Sequence, residues 1–372
     1  MFIKNFKEYV NICLEVSATH PAREIKGKIL FSHDGEGMVV SGYGDAGAYN
    51  VRIPYPKFSG TFSLRGKVLA EALAQYKDQV YFRVEEDSVT LENFTLKKEE
   101  GYEYQPSFVN TRYGSGEDFP LTPEDLEALV NFSSKEEARI ALYGAYFNEK
   151  LAVSSNGYAF FMKEYGRLLD INPVIIYKDS LAVLAMMAKI GPLKINQDFT
   201  VYTTPDDADI TSVYYPSIVD MKYPIDTLLN FRTSVMTGIN PVFAVEKVHS
   251  LFRPAFVATT EEDTPIVGVS YQNGKLFLFA VGETMRTIYA SEENQEAPQG
   301  TVLCNARYFQ SLLKVSNTTR FGFGMVQASP CVFVTSEDWK TLALSLCINN
   351  QTLEKEQLKA FDLLEKPFVP VL

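Results

Sequence analysis

The pattern that comes nearest to carrying chemistry is Gly42-Tyr-Gly-Asp-Ala-Gly47, which matches the G-x-G-x-x-G spacing of a dinucleotide loop. Such a loop cradles phosphate only when a helix starts directly behind it, because unpaired N–H groups and the positive end of the helix dipole hold the ligand. Ala48-Tyr-Asn-Val-Arg-Ile instead continues as alternating strand, so the glycines predict a hairpin turn. No GxxxxGK[ST], GxSxG or HExxH occurs. The three histidines (His20, His33, His249) are widely separated, which argues against a triad or a metal centre. Cys13, Cys304, Cys331 and Cys347 form no CxxC and lie far apart in sequence, so neither a disulfide framework nor a zinc site is indicated. Asp206, Asp207 and Asp209 read as a solvated acidic turn rather than a cation site. Asn93-Phe-Thr95 would be a glycosylation acceptor only in a secreted chain. The expectation is a protein with no catalytic residues, no metal and no cofactor.

The elements behind these residues belong to a chain of 372 residues with 35 Lys+Arg, 46 Asp+Glu and a formal net charge of −11. At about 150 residues per domain, that length predicts two or three domains. Hydrophobic residues are 46% and charged residues 22%, ordinary for a globular protein and too apolar for disorder. Aromatics reach 13%, with 26 Phe and 21 Tyr against 1 Trp, a composition that favours strands. No apolar run approaches the roughly 18 residues of a membrane span, and MFIKNFKEYVNICLEV lacks a signal-peptide core. A cytoplasmic location and no membrane partner are expected. The acidic balance excludes a protein that coats nucleic acid through general basicity, but leaves room for a local positive face with an acidic exterior.

Two polar stretches are candidate breaks: Asn110 to Asp118 (NTRYGSGED) and Leu229 to Asn240 (LNFRTSVMTGIN). They cut the chain into three pieces of similar size, and a repeated strand-then-helix unit marks each piece. The three copies run from Thr61 (TFSLRGKVLAEAL), Val174 (VIIYKDSLAVLAM) and Val302 (VLCNARYFQSLLK), with Leu69, Leu181 and Phe309 in equivalent places. A separate amphipathic stretch opens each piece: Phe6 to Val16, Pro123 to Phe132 and Val245 to Phe256. In the second, Thr122 can cap the helix, with Pro123 first and Glu124 and Asp125 in the first turn. Alternating strands fill the remainder, and Asn273-Gly274 between two of them predicts a two-residue hairpin. The fold class is therefore α+β, repeated three times.

This repeat, at this length, resembles the bacterial sliding clamp, the β subunit of the replicative DNA polymerase III. The likeness covers roughly the first 348 residues. It is carried by Arg23-Glu-Ile-Lys-Gly-Lys-Ile-Leu-Phe and Gly60-Thr-Phe-Ser-Leu in the first piece. The second piece contributes Phe119-Pro-Leu, Arg139-Ile-Ala-Leu-Tyr-Gly and Tyr215-Pro-Ser. It also has Ser154-Ser-Asn-Gly-Tyr-Ala-Phe where the family has Ala-Thr-Asp-Gly-His-Arg-Leu, a departure that makes this a divergent member, of bacterial or phage origin alike. Phe252-Arg-Pro-Ala-Phe-Val and Leu342-Ala-Leu-Ser-Leu-Cys-Ile come from the third.

The resemblance implies three clamp domains (1–117, 118–238 and 239–348) and a C-terminal extension (349–372), with two chains closing head to tail into a six-domain ring around double-stranded DNA. It implies a non-enzymatic processivity factor, a homodimer whose partners are DNA of any sequence, a DNA polymerase and a clamp loader. The DNA-facing candidates are Arg23, Lys67, Arg139, Lys178, Lys247, Arg253 and Arg307, each equally readable as ordinary solvated charge. The first helix of the second piece, net negative, fits a DNA-lining role poorly. A partner-peptide pocket would use Leu142, Gly157, Tyr158, Phe160, Pro224, Leu344 and Leu346, of which Leu142 and Leu346 read equally well as core. Phe256 and Val257 correspond to the family's subunit contact and read equally well as intradomain core, while the partnering strand, with Phe94 and Leu96, is expected around Phe94 to Lys98. In the extension, Gln357-Leu-Lys-Ala-Phe361 resembles the peptide that clamp partners use, and reads more simply as one face of a short helix. The rival reading is a clamp-fold scaffold that binds partner proteins without encircling DNA.

Overall fold

The computed structural model describes residues 2–55, 58–76, 79–104, 116–203, 210–238, 242–257, 265–272, 275–281, 286–292, 300–327 and 329–348. The first piece comprises β1 (Phe2–Lys4), α1 (Phe6–Ala18), β2 (Lys28–His33), β3 (Met38–Gly44), β4 (Gly47–Ile53), β5 (Phe62–Arg65), α2 (Gly66–Leu73), β6 (Gln79–Val84), β7 (Ser88–Leu91), β8 (Phe94–Lys97) and β9 (Glu99–Glu100). The second has β10 (Glu117–Asp118), α3 (Pro123–Phe132), a single 3-10 turn at Ile140–Leu142, β11 (Gly144–Phe147), β12 (Leu151–Ser155), β13 (Ala159–Glu164) and β14 (Val174–Tyr177). It continues with α4 (Lys178–Ile190), β15 (Leu193–Ile195), β16 (Val201–Thr203), β17 (Thr211–Pro216), β18 (Ile218–Val219) and α5 (Ile225–Thr237). The third runs β19 (Val242–Ala244), α6 (Val245–Val257), β20 (Ile266–Gln272), β21 (Lys275–Val281), β22 (Arg286–Glu292), β23 (Gly300–Asn305), α7 (Ala306–Leu313), β24 (Arg320–Val326), β25 (Ser329–Thr335) and β26 (Thr341–Leu346).

The repeat read from the sequence is the repeat of the fold. Strand β5 runs directly into α2, β14 into α4 and β23 into α7. These helices start at residues 66, 178 and 306, so they are spaced by 112 and 128 residues, as Leu69, Leu181 and Phe309 are. Those three side chains stand fourth in their helices and are fully buried. Each contributes about 1.5–3 kcal/mol by leaving water. The opening helices α1, α3 and α6 lie on the three amphipathic stretches.

The chain divides into two compact units. The first takes Met1–Val130, Glu136–Ala152 and Tyr165–Lys222; the second takes Asn131–Lys135, Val153–Glu164 and Tyr223–Leu372. Within the first unit, a nine-stranded sheet of order β10-β15-β16-β17-β4-β3-β2-β5-β9 joins strands of the first and second pieces. The junction is the antiparallel pair β4–β17, with Asn50 opposite Val213 and Gly47 opposite Pro216. Ser180 Oγ and Tyr214 Oη both donate to the Ala46 carbonyl beside that seam, at 2.6 and 2.5 Å. A second sheet, β1-β6-β7-β8, ends on β8. In the second unit, β13 and β26 pair antiparallel, with Phe160 opposite Leu344, and join the second and third pieces in the same manner. The other sheet of this unit runs β22-β21-β20-β23.

Local chemistry explains the elements. The G-x-G-x-x-G stretch is the β3–β4 hairpin, with Gly44 opposite Gly47 and Gly47 at φ +121°. Gly42 serves packing: a Cβ there would stand 2.2 Å from the Cys13 carbonyl oxygen, so its hydrogen lets α1 lie against the sheet. Helix α3 begins with a reciprocal capping box, the Asp125 N–H donating to Thr122 Oγ1 and the Thr122 N–H to Asp125 Oδ2, both at 3.2 Å. Gln272 of β20 stands opposite Lys275 of β21, as a two-residue hairpin requires.

Several readings need correction or limits. The stretch Leu229 to Asn240 is not a linker, because Ile225–Thr237 is the helix α5. Of the other break, Glu117–Asp118 is strand β10, while Asn110 to Ser115 lie outside the described residues. Asp206, Asp207, Asp209, the Asn273-Gly274 turn and Gln357 to Phe361 also lie outside them. Cysteines remote in sequence are not all remote in space, since Cys304 and Cys347 have Sγ atoms 3.6 Å apart. No group of three or more His, Cys, Asp or Glu suited to a metal occurs among the described residues.

Candidate functional site

The expected cationic positions recur at the start of the strand-led helices. Lys67 and Arg307 are each the second residue of their helix, α2 and α7, and both side chains are exposed. Their backbone entries differ. Asn305 caps α7 by accepting the Arg307 N–H at 2.9 Å, whereas Arg65 precedes α2 with no side-chain cap. In α4 the register is shifted by one. Lys178 is first and half-buried, and Asp179 occupies the position that Lys67 and Arg307 hold. Partial desolvation holds the Asp179 carboxyl above its ordinary range, Glu137 and Asp45 add to the push, and Lys178 opposes it. Arg23 is exposed in the turn between α1 and β2, and Arg253 is exposed on α6. Arg23, Lys67, Arg253 and Arg307 make no ion pair with a described residue. Arg139 differs: half-buried, its guanidinium Nε meets Glu136 at 2.7 Å, so its charge is locally offset. Lys247 falls within α6.

The acidity of α3 has a local account. Asp125 is buried in the capping box. Glu127 pairs with Lys189 of α4 at 2.6 Å. Bonds to its own backbone and to Thr122 hold the Glu124 carboxyl below the usual carboxylate range. These carboxylates are committed to the helix and its neighbour.

Most of the expected peptide-pocket residues meet within the second unit. The turn that presents Tyr158 is held by Asn156, whose Oδ1 accepts the N–H groups of Tyr158 and Ala159 at 2.9 and 2.8 Å. Gly157 takes φ +91° in that turn, a left-handed conformation that favours glycine. Tyr158 is 54% exposed, and its ring stacks on Tyr308 of α7 with centroids 6.3 Å apart. The Leu346 N–H donates to the Tyr158 carbonyl at 2.8 Å, which sets half-buried Leu346 beside it. Phe160 and Leu344 face each other across β13 and β26 and are buried, so they are core of that seam and not the exposed anchors an open pocket would need. Phe160 packs near Phe231 of α5, at 6.4 Å between centroids. Pro224, exposed, immediately precedes α5. Leu142, half-buried, ends the 3-10 turn of the first unit. Tyr308 and Phe231 escaped the sequence reading. Tyr308 had a signal in its place beside Arg307; Phe231 had none, since its segment read as linker.

The subunit-contact candidates sit on exposed ends of elements. Phe94 and Leu96 share one face of β8, the last strand of its sheet, and both are half-buried. Phe256 packs on Phe252 at 5.6 Å, and Val257 ends α6 at 58% exposure.

No family model and no curated protein matches the sequence. Solved structures match it as folds. A putative DNA polymerase III beta subunit from Eubacterium rectale superposes with a TM-score of 0.71 at 14% identity, over 94% of this chain and 99% of that one. The DNA polymerase III beta subunit of Thermotoga maritima gives 0.71 at 13% identity, over 94% and 98%. The sliding clamp of Pseudomonas aeruginosa, bound to griselimycin, gives 0.70 at 14%, over 94% and 99%. The chain has the sliding-clamp fold in a divergent sequence. No helix among the described residues is long and apolar enough to cross a membrane.

Proposed function

We propose that this chain is a DNA sliding clamp: two copies close head to tail into a ring of six domains, encircle duplex DNA and tether a DNA polymerase to it. The observation that carries the reading is a likeness to DNA polymerase III beta subunits that spans nearly the whole of both chains. The domains are 1–117, 118–238 and 239–348, followed by the extension 349–372. The role is non-catalytic and cytoplasmic, and a loader opens the ring.

The repeat itself supports closure. Strand β4 is the last of the run β2-β3-β4 and pairs with β17, the last of β15-β16-β17. Strand β13, last of β11-β12-β13, likewise pairs with β26, last of β24-β25-β26. The same rule leaves two strands over. They are β22, last of β20-β21-β22, and β8, last of β6-β7-β8, each at the end of its four-stranded sheet. Pairing β22 of one copy with β8 of the next continues the pattern head to tail, and two such contacts close a ring of two chains. Phe94 and Leu96 then enter the contact, with Phe256 and Val257 of α6 beside it.

Encirclement also suits the charge. Topological hold makes tight phosphate binding unnecessary, so a few cations, Lys67, Lys178, Arg307, Arg23 and Arg253 among them, suffice to neutralise phosphates transiently, while the net charge of −11 repels DNA from the exterior. The exposed Tyr158, stacked on Tyr308 and with Leu346 beside it, receives an extended partner peptide through apolar anchors.

One specific observation favours the rival scaffold reading: Asp179 stands where the other two helices carry Lys67 and Arg307. The deciding experiment is loader-free. Linear duplex is incubated with the protein, ligated into a circle, washed at high salt and then cut once. A clamp stays on the closed circle through the wash and leaves after the cut. A scaffold, or a protein held by surface charge, is lost equally from circle and linear DNA as salt rises.

A further inference from the structure

We propose that Cys304 and Cys347 are a disulfide-forming pair that fastens the chain just after β26 to strand β23, tying together the two sheets of the third piece. Both residues belong to the second unit, and their Sγ atoms stand 3.6 Å apart with both thiols free. The backbone already holds them in register. The Ile348 N–H donates to the Leu303 carbonyl at 2.7 Å, which brings Cys347, one residue before Ile348, close to Cys304, one residue after Leu303. A second bond, from the Cys347 N–H to the Pro330 carbonyl at 2.8 Å, fixes the other side. A disulfide needs its sulfurs at about 2.05 Å, so closure asks for a sulfur shift of about 1.5 Å. Cys331 stands opposite Leu346, one residue out of step with Cys347, and Cys13 lies in the first unit.

The two thiols have unequal access. Cys304 is fully buried and Cys347 half-buried, so a low-molecular-weight disulfide from solution meets Cys347 first. The Cys347 thiolate attacks one sulfur of that reagent, a mixed disulfide forms, and one small thiolate leaves. The Cys304 thiolate then attacks Sγ of Cys347, the Cys304–Cys347 bond forms, and the second small thiolate leaves. The protons of the two cysteines pass to the two released thiolates, so the cysteines are oxidised and the reagent is reduced. The hydrogen bond with Cys304, together with burial, holds the Cys347 thiol well above its ordinary range. Thiolate is therefore scarce at neutral pH, and the exchange quickens as pH rises.

The test incubates the full chain with oxidised glutathione, removes the reagent and counts thiols in denaturant. The expected result is that two of the four cysteine thiols disappear, the intact mass falls by two hydrogen atoms, and a digest yields a Cys304–Cys347 linked peptide. Cys304→Ser should stop at a stable glutathione adduct, and Cys347→Ser should keep its three thiols. The wild-type mass and linked peptide decide the matter even where a variant fails to fold. Four surviving thiols, a persistent glutathione adduct on the wild type, or a link through Cys331 would each overturn the proposal.

Discussion

The second residue of each strand-led helix carries a fixed charge at an equivalent place: Lys67, Asp179 and Arg307. If these positions line a DNA passage, Lys67→Glu with Arg307→Glu should lower retention on ligated circles and leave the dimer intact. Asp179→Lys should raise salt-sensitive binding, with the slope against log salt steeper by about one phosphate contact. Unchanged binding in both variants would remove this face from the account. The Tyr158–Tyr308 stack makes a separate prediction at the same scale. Tyr158→Ala strips an exposed ring from its stack on Tyr308, so partner-dependent polymerase stimulation should fall while fold and dimer persist. Phe160→Ala is the poorer probe, because Phe160 is buried and its truncation costs about 3–5 kcal/mol of stability. Residue types and spacing made the Lys67 and Arg307 positions legible. Burial separated Phe160 and Leu344 from Tyr158, and burial depends on pairing with a strand some 180 residues away, which local pattern does not contain.

At the scale of elements, the repeated helices were readable because their apolar spacing acts locally, helped in α3 by the Thr122 cap. Helix α5 was not. Phe231-Arg232-Thr233-Ser234 is poor in strong helix formers, and its polar composition matches a loop. The helix is held by interactions the one-dimensional pattern lacks. Arg232 donates to Glu164 at 2.6 Å and to the Trp339 carbonyl at 3.1 Å, tying α5 to the ends of β13 and of the β25–β26 hairpin. The glycine-rich motif taught the converse lesson, since a familiar spacing served close packing of α1 on β3. Gly42→Ala should therefore lower the thermal midpoint markedly, by the equivalent of about 2 kcal/mol or more. Gly166→Ala, with nothing within 4 Å of its Cβ, should leave the midpoint nearly unchanged. Equal effects of the two would mean that α1 does not depend on that contact.

For the whole molecule, the seams β4–β17 and β13–β26 follow one rule, and β8 and β22 are the strands left to obey it. The threefold repeat was legible from spacing alone, whereas the pairing rule came only with the sheets. A closed ring follows if that rule extends between copies, and the sliding-clamp reading rests on closure more than on any single residue. The most direct measurement is negative-stain electron microscopy of the purified protein together with its solution mass. The account predicts a closed ring of six similar lobes around a hole, at twice the chain mass of 41.8 kDa. A compact monomer, or an elongated particle without a hole at any concentration tested, would contradict encirclement and leave only the clamp fold.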